Sequence, residues 1–155
     1  MGVLDGKKPQ KVFQFFEKIA GIPHGSGNVE QISNYLVDFA KERNLKYRQD
    51  EKLNVIIWKE GTAGYEESEA VILQGHIDMV AVKTADCEKD MEKEGLDLQV
   101  DGDVLSAKGT SLGGDDGIAV AYALAVLDSK DIAHPPIEAV FTVDEEIGLL
   151  GATYL

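Results

Sequence analysis

The sequence is poor in the residues that cross-link a small fold or attract nucleic acid. Cys87 is the single cysteine among 155 residues, so no intramolecular disulfide can form and a reducing compartment is favoured. Lys and Arg number 15 against 28 Asp and Glu, and the formal net charge of −13 argues against nucleic-acid or anionic-membrane partners. No apolar run approaches the roughly 18 residues of a membrane span, and the first residues lack the apolar core of a signal peptide. We therefore expect a soluble, cytoplasmic protein with no nucleic-acid or membrane partner.

Several common catalytic motifs are also missing. The chain has no phosphate-binding loop of the Gly-x-x-x-x-Gly-Lys or Gly-x-Gly-x-x-Gly type and no Gly-x-Ser-x-Gly elbow. These absences argue against the nucleotide-binding and hydrolase families that carry those motifs. Cys87 lies in an acidic segment, where a thiolate is disfavoured, so we do not expect it to act as a nucleophile.

Hydrophobic periodicity predicts an α/β fold. Apolar residues at helical spacing predict three helices, and Asn28 with Gln31 resembles a capping box for the second of them. Short apolar, β-branched runs predict strands, among them a buried strand that ends in polar residues. The predicted helices cover residues 12–19, 29–44 and 117–127, and the predicted strands cover 45–49, 53–58, 70–74, 98–100, 104–107 and 137–143. We expect one folded unit, a mainly parallel or mixed sheet with helices on both faces.

Three polar clusters, residues 75–78, 113–117 and 144–146, lie at the ends of predicted elements. Each has an ordinary structural explanation when it is considered alone. His76 and Asp78 can form a structural ion pair, Asp115 or an adjacent Asp can cap a helix, and two neighbouring Glu residues are usually solvated. These alternatives stay open for each cluster taken singly.

The three clusters together favour a metal site. Carboxylates gathered beside one imidazole at the edge of an apolar sheet need a neutralising cation, and a divalent metal ion is the simplest one. One His with several carboxylates suits zinc, manganese or cobalt, while magnesium and calcium stay possible on ligand type alone.

Four strings in order then resemble a known family. IPHGSGN (22–28), QGHIDMV (74–80), TSLGGDDGI (110–118) and FTVDEEIG (141–148) are similar in order and spacing to the N-terminal part of the aminoacyl-histidine dipeptidases. These carnosine-cleaving enzymes are two-metal peptidases with a zinc-peptidase-like catalytic domain. The resemblance covers almost the whole chain.

The resemblance implies a function and a role for five residues. It implies that His76 ligates one metal ion, that Asp115 bridges two, and that Glu146 ligates the other. It further implies that Asp78 orients His76 and that Glu145 is the general base toward a water activated between two metals. The implied activity is metal-dependent hydrolysis of dipeptides, of the Xaa-His type such as β-alanyl-histidine, with two ions, zinc or else manganese or cobalt. Family members also commonly have a cis peptide bond after the bridging aspartate, here between Asp115 and Asp116.

The chain departs from the family beyond residue 146. The family has a further acidic ligand, a final histidine and an inserted lid domain that usually mediates dimerisation, and none of these is present. His24 and His134 do not match the missing ligand, and we expect both to be structural or solvent-facing. Residues 1–155 are therefore interpreted as the N-terminal part of a metallopeptidase catalytic domain, inactive alone, whose full-length form is a homodimer.

Two other functions are compatible with this sequence. One is a non-catalytic acidic metal-binding or interaction module on the same fold. The other is part of a related two-metal tripeptidase or deacylase.

Overall fold

Residues 2–155, described by a computed structural model, form three helices and six strands. In chain order the elements are α1 (Gln10–Ala20), α2 (Glu30–Glu42), β1 (Lys46–Gln49), β2 (Val55–Lys59), β3 (Val71–His76), β4 (Leu98–Asp101), β5 (Val104–Ala107), α3 (Gly114–Asp128) and β6 (Ile137–Thr142), followed by a short 3₁₀ helix, Ala152–Tyr154. The helices match the predicted apolar periodicity, and β2, β3 and β6 coincide with apolar or β-branched runs, whereas β1 is a mostly polar, exposed strand.

The central sheet has four strands in the order β1-β2-β6-β3. β1 pairs antiparallel with β2, β2 pairs antiparallel with β6, and β3 pairs parallel with β6. β4 and β5 form a separate antiparallel hairpin, as the sequence predicted. The predicted α/β class with a mixed sheet is confirmed.

The core lies between the helices and one face of the sheet. Residues paired across neighbouring strands share a face, and the register places Val55, Ile57, Ala139 and Phe141 together on it, all with 0% exposure. α2 packs against β1 and β2, α3 packs against β3, and α1 packs on α3. The three helices among residues 2–155 thus cover the same side of the sheet, and the expectation of helices on both faces is wrong for these described residues.

The opposite face carries larger exposed side chains. Ile72 is 63% exposed, and Ile56, Trp58 and Val140 are only partly buried. The prediction that the strand before His76 is buried is therefore wrong for its first residues, because β3 lies at an edge of the sheet and contacts a strand on one side only. No helix formed by residues 2–155 is both long and apolar enough to cross a membrane.

The predicted capping box at α2 is also wrong. α2 begins at Glu30 with Val29 as its N-cap, and the cap has no side-chain hydrogen bond. The side-chain amide of Asn28 instead donates to the backbone carbonyl of Glu92 at 3.0 Å, so a tertiary contact replaces the predicted local cap.

Asn54 links the turn before β2 to the chain that follows β6. Its side chain is 1% exposed, donates to the carbonyl of Gly151 at 3.0 Å and accepts from the amide of Val143 at 3.1 Å. It also donates to the Asp50 carboxylate at 2.8 Å. These bonds fix the backbone just before the acidic cluster at 144–146.

We expect Asn54→Ala to lower the free energy of unfolding by about 2 to 4 kcal/mol, because two buried backbone groups lose their partners. Urea unfolding followed by circular dichroism measures the change. Asn34→Ala, which removes an exposed amide from α2, is the control and should cost much less. Equal losses in the two variants would contradict this prediction.

Candidate metal centre

The parallel pairing of β3 and β6 brings two of the polar clusters to one edge of the sheet. His76 pairs with Thr142 at the carboxyl ends of the two strands, and the amide of Ile77 donates to the carbonyl of Thr142 at 2.8 Å. The chain then continues into Asp78 on one side and into Asp144–Glu146 on the other. Carboxyl ends of parallel strands are the usual location of ligand sites in open α/β sheets.

The third cluster lies at the start of α3. Gly113, the N-cap, has φ +66°, and the Asp115–Asp116 peptide bond is cis, as the resemblance implied. Asp115 and Asp116 have non-helical backbone angles, so regular helix begins only after them. Gly75 of β3 has no side chain here, and a Cβ at this position would lie 3.1 Å from a carboxylate oxygen of Asp116. The glycine therefore allows this segment to lie close to β3.

The side chains of His76, Asp115 and Glu146 converge. One ligand atom from each residue lies within 4.8 Å of the other two. His76 is buried, with 7% exposure, whereas Asp115 and Glu146 are exposed. The Nε2 atom of His76 lies 3.1 Å from Oδ1 of Asp115 and 4.0 Å from Oε2 of Glu145. The structure therefore brings all three predicted ligands and the predicted base to one place.

The imidazole of His76 is oriented from behind by residue 78. Its Nδ1 atom lies 3.0 Å from the backbone carbonyl oxygen of Asp78 and 3.4 Å from Oδ1 of the same residue. In the neutral imidazole, an Nδ1–H that donates to the carbonyl leaves the lone pair on Nε2, which faces Asp115, whereas the protonated ring donates from Nε2 to Asp115. The main-chain oxygen is thus the nearer partner, and the Asp78 carboxylate is the second.

Charge around the site shifts two pKa values. Burial lowers the pKa of His76, but the hydrogen bond with Asp115 and the charges of Asp78 and Asp116 outweigh it, so the net pKa is raised above 6.5. Burial also raises the pKa of Asp116, and the negative charges of Asp115 and Glu145 add to the rise against the opposing effect of His76. Both shifts reflect an excess of negative charge in a partly desolvated site.

Asp78 contacts both halves of the site. Its side chain is fully buried, and its carboxylate accepts from the amides of Glu145 at 3.0 Å and Glu146 at 3.3 Å. The hydroxyl of Ser26 donates to Oδ2 at 2.7 Å. The same carboxylate therefore supports His76 and fixes the turn that carries both glutamates.

The donor set fits a divalent cation. Two ligand atoms that share a tetrahedral zinc ion at about 2.0 to 2.1 Å lie roughly 3.3 Å apart, close to the 3.1 Å between His76 and Asp115. Within residues 2–155, no Lys or Arg forms an ion pair with Asp115, Asp116, Glu145 or Glu146. Among the described residues the His76 imidazole, when protonated, is the positive group paired with Asp115 and Glu145, and it cannot balance four carboxylates. The excess of negative charge is the condition that a bound cation relieves.

The other two histidines lie outside this group. His24 is 4% exposed and His134 is 5% exposed, and each directs Nδ1 toward a nearby backbone carbonyl. Burial lowers the pKa of His24, partly offset by its bond to the carbonyl of Ile22 and by the charge of Asp78. Both side chains are buried, so of the two outcomes expected from the sequence the solvent-facing one is wrong.

Sequence reasoning gave no role in the site to Ser26, Asp116 or Asp144, although each lies in a cluster or motif named from the sequence. Asp116 accepts a hydrogen bond from the amide of His76 at 3.3 Å, and Asp144 accepts one from the amide of Gly27 at 2.7 Å. For Ser26 the available signal was the small, polar composition of the IPHGSGN segment, which is typical of a turn. For Asp116 and Asp144 it was their membership of the two acidic clusters.

The chain is similar to known dipeptidases in sequence and in fold. The chain is 41% identical over 152 residues to the cytosol non-specific dipeptidase of Escherichia coli (strain K12), an alignment that covers 98% of this chain and 31% of that protein. The crystal structure of aminoacylhistidine dipeptidase from Vibrio alginolyticus has a TM-score of 0.95 at 43% identity, over 98% of this chain and 31% of that one. A Staphylococcus aureus tripeptidase follows at a TM-score of 0.75 and 26% identity, over 94% of this chain and 39% of that one.

No family model matches the chain. The resemblance to aminoacyl-histidine dipeptidases is nevertheless confirmed in sequence and in fold by these relatives. The chain spans about a third of the length of the two dipeptidases.

The raised pKa of His76 predicts a pH dependence of the metal-free protein. A proton bound more tightly in the folded state stabilises it, fully at pH below 6.5, and this contribution is lost as pH rises through the raised folded-state pKa. We therefore expect the difference in unfolding free energy between wild type and His76→Gln to grow as pH falls from 8.5 to 5.5. Urea unfolding in the presence of a chelator measures it, and the effect of His24 cancels because both proteins carry it. A difference that is flat or that shrinks toward low pH would refute this prediction.

Proposed function

We propose that residues 1–155 are the N-terminal part of the catalytic domain of a metal-dependent dipeptidase. The observation that carries the proposal is the convergence of His76, Asp115 and Glu146 within 4.8 Å, in a chain 41% identical to a dipeptidase. Each of these residues lies in one of the motifs from which the resemblance was drawn. The proposal includes a lid domain and a C-terminal part outside these residues, and a homodimeric full-length form.

The cofactor proposed for this site is a pair of divalent ions, zinc or else manganese or cobalt. One imidazole nitrogen and several carboxylate oxygens are ligands that these metals accept. When bound, such ions polarise the scissile carbonyl and lower the pKa of a water molecule.

The chain's own residues have distinct parts in this proposal. His76 would hold one ion through Nε2, Glu146 would hold the other, and Asp115 would contact both from the start of α3. Glu145 would take the proton from the attacking water, for which its carboxylate, 4.0 Å from Nε2 of His76, is close enough to the ligands. Asp78 would hold His76 and the turn that carries Glu145 and Glu146 in their relative positions, since it contacts both.

Dipeptides are the substrate class that we propose, with Xaa-His dipeptides such as β-alanyl-histidine among them. Two relatives at 41% and 43% identity are dipeptidases, one named a non-specific dipeptidase and the other an aminoacylhistidine dipeptidase. The tripeptidase is more distant in both sequence and fold. A cytoplasmic location is proposed as well, since the E. coli relative is a cytosol enzyme.

A panel of dipeptides, tripeptides and N-acyl amino acids, tested on the longer protein that carries these residues, distinguishes the alternatives. Hydrolysis of dipeptides alone supports this proposal, and hydrolysis of tripeptides or acyl substrates supports a related two-metal enzyme. Metal binding without turnover of any substrate supports the non-catalytic module.

Glu145→Gln in the longer protein should lower kcat by about 100-fold or more with little loss of metal, because the amide keeps the shape of the side chain but cannot accept the proton. Glu146→Gln should instead weaken metal binding. Steady-state kinetics and metal analysis measure the two effects, with Glu51→Gln in an exposed turn as the control. Metal loss in Glu145→Gln together with retained activity would reverse the two roles.

The 155-residue chain by itself should bind divalent metal weakly and hydrolyse no dipeptide at an appreciable rate. Its three ligands supply only part of two coordination shells, and well-oriented binding of a substrate, worth roughly 7 to 11 kcal/mol in favourable cases, would be mostly absent. The measurement is free histidine released from β-alanyl-histidine with zinc, manganese or cobalt, against a metal-only blank. Robust metal-dependent turnover would overturn the proposal that further ligands are needed.

A further inference from the structure

The loop at residues 22–28 lies across the carboxyl ends of β3 and β6, and none of the roles proposed above uses it. The amide of Met79 donates to the carbonyl of His24, and the amide of Ser26 donates to the carbonyl of Met79, both at 3.1 Å. The amide of Gly27 donates to Oδ1 of Asp144 at 2.7 Å. The loop backbone is therefore fixed both to the chain that carries Asp78 and to the turn that carries the two glutamates.

From this fixed backbone, the hydroxyl of Ser26 reaches the buried carboxylate of Asp78. The Oγ to Oδ2 distance of 2.7 Å is the shortest of the four polar contacts of that carboxylate. The others are the amide of Glu145 at 3.0 Å, the amide of Glu146 at 3.3 Å and Nδ1 of His76 at 3.4 Å. Without Ser26, Oδ2 would keep one long contact, to the amide of Glu146.

We propose that Ser26 is a positioning residue for the metal centre and that it acts through Asp78. The proposal rests on the function proposed above, because it assigns Ser26 a part in holding the ligands of that centre. By fixing Oδ2, Ser26 sets the orientation of the one carboxylate that contacts His76 and the backbone of both glutamates. A substitution of Ser26 therefore alters the positions of His76 and Glu146 together.

The competing interpretation is that Ser26 only stabilises its own turn. The Ser26 hydroxyl has a second acceptor, the carbonyl of Met79 at 3.4 Å, which belongs to the same loop contact. On that interpretation the loss of the hydroxyl lowers the stability of the fold but leaves the affinity for metal unchanged. A measurement of metal affinity that is made separately from the measurement of stability therefore distinguishes the two interpretations.

The experiment is a cobalt titration of the purified longer protein that carries these residues, with Co²⁺ as the metal and its visible absorption as the readout. Ser26→Ala removes the hydroxyl, Ser26→Cys replaces it with a weaker donor of similar size, and Ser26→Thr retains it. Ser129→Ala is the matched control, since that hydroxyl also donates at 2.7 Å from a partly buried position but lies at the opposite end of α3 from Asp115. Thermal unfolding in chelator gives the stability of each variant without metal.

We expect Ser26→Ala and Ser26→Cys to bind Co²⁺ about 3- to 10-fold more weakly, with an altered visible spectrum. This is less than the roughly 10- to 100-fold loss of metal affinity that typically follows removal of a side chain in direct contact with a ligand, because Ser26 contacts the ligand His76 only through Asp78. Ser26→Thr and Ser129→Ala should bind as the wild type does. In an Asp78→Asn background, Ser26→Ala should cause no further loss, because the path through the carboxylate is already broken.

Wild-type affinity and spectrum in Ser26→Ala, with or without a loss of stability, would overturn this inference and leave the proposed function standing. An additional loss in the Asp78→Asn background would overturn the path through Asp78. If Ser26→Ala fails to fold, Ser26→Cys decides in the same way. A wild-type protein that binds no Co²⁺ would overturn the proposed metal centre, and the inference with it.

Discussion

The parallel register of β3 against β6 determines where the charged groups of the site lie. Because both strands run in the same direction, His76 and Thr142 end side by side, and the chain leaves each strand directly into a polar segment. A register shift of one residue would turn the side chains of β3 to the opposite face and remove His76 from this edge. Gly75 allows the start of α3 to approach the same end of β3, so Asp115 joins the cluster from a third direction. Packing of the apolar face thus also places the ligands.

This arrangement buries the charged carboxylate of Asp78, and the groups that donate hydrogen bonds to it offset the free-energy cost of removing it from water. A fully buried carboxylate needs hydrogen-bond donors, and Asp78 receives them from Ser26 and from the amides of residues 145 and 146. The exposed carboxylates nearby are arranged differently, since no Lys or Arg of residues 2–155 pairs with Asp115, Asp116, Glu145 or Glu146. Asp78 is thus satisfied by the protein alone, whereas the remaining acidic groups keep the capacity to bind a cation.

Local sequence patterns predicted the elements and the members of the site, but not the contacts between distant segments. Apolar spacing was sufficient for α1, for β6 and for the β4–β5 hairpin, because burial of one face or of one run imposes that spacing. Apolar spacing did not predict the role of Asn28, whose side chain donates to the carbonyl of Glu92, 64 residues away, and does not cap α2. Nor could it predict that Ser26 contacts Asp78 across 52 residues, since that contact depends on how the sheet places two loops. The exposure of Ile72 was missed for the same reason, because the position of a strand within its sheet is a tertiary property.

The count of donor atoms shows why this site, if it holds two ions, needs more than the residues described here. A tetrahedral zinc ion takes four ligands, so two ions that share one bridging carboxylate require more protein donors than one imidazole and two carboxylates. Water can fill some of these positions, but water does not fix the separation of the ions, which must be about 3.5 to 4 Å for both to act on one substrate. The relatives are about three times as long as this chain and offer further residues for that purpose. Residues 2–155 bring His76, Asp115 and Glu146 together, and the Asp78 carboxylate contacts both His76 and the amide of Glu146, so further ligands would be added to a group that these contacts already position.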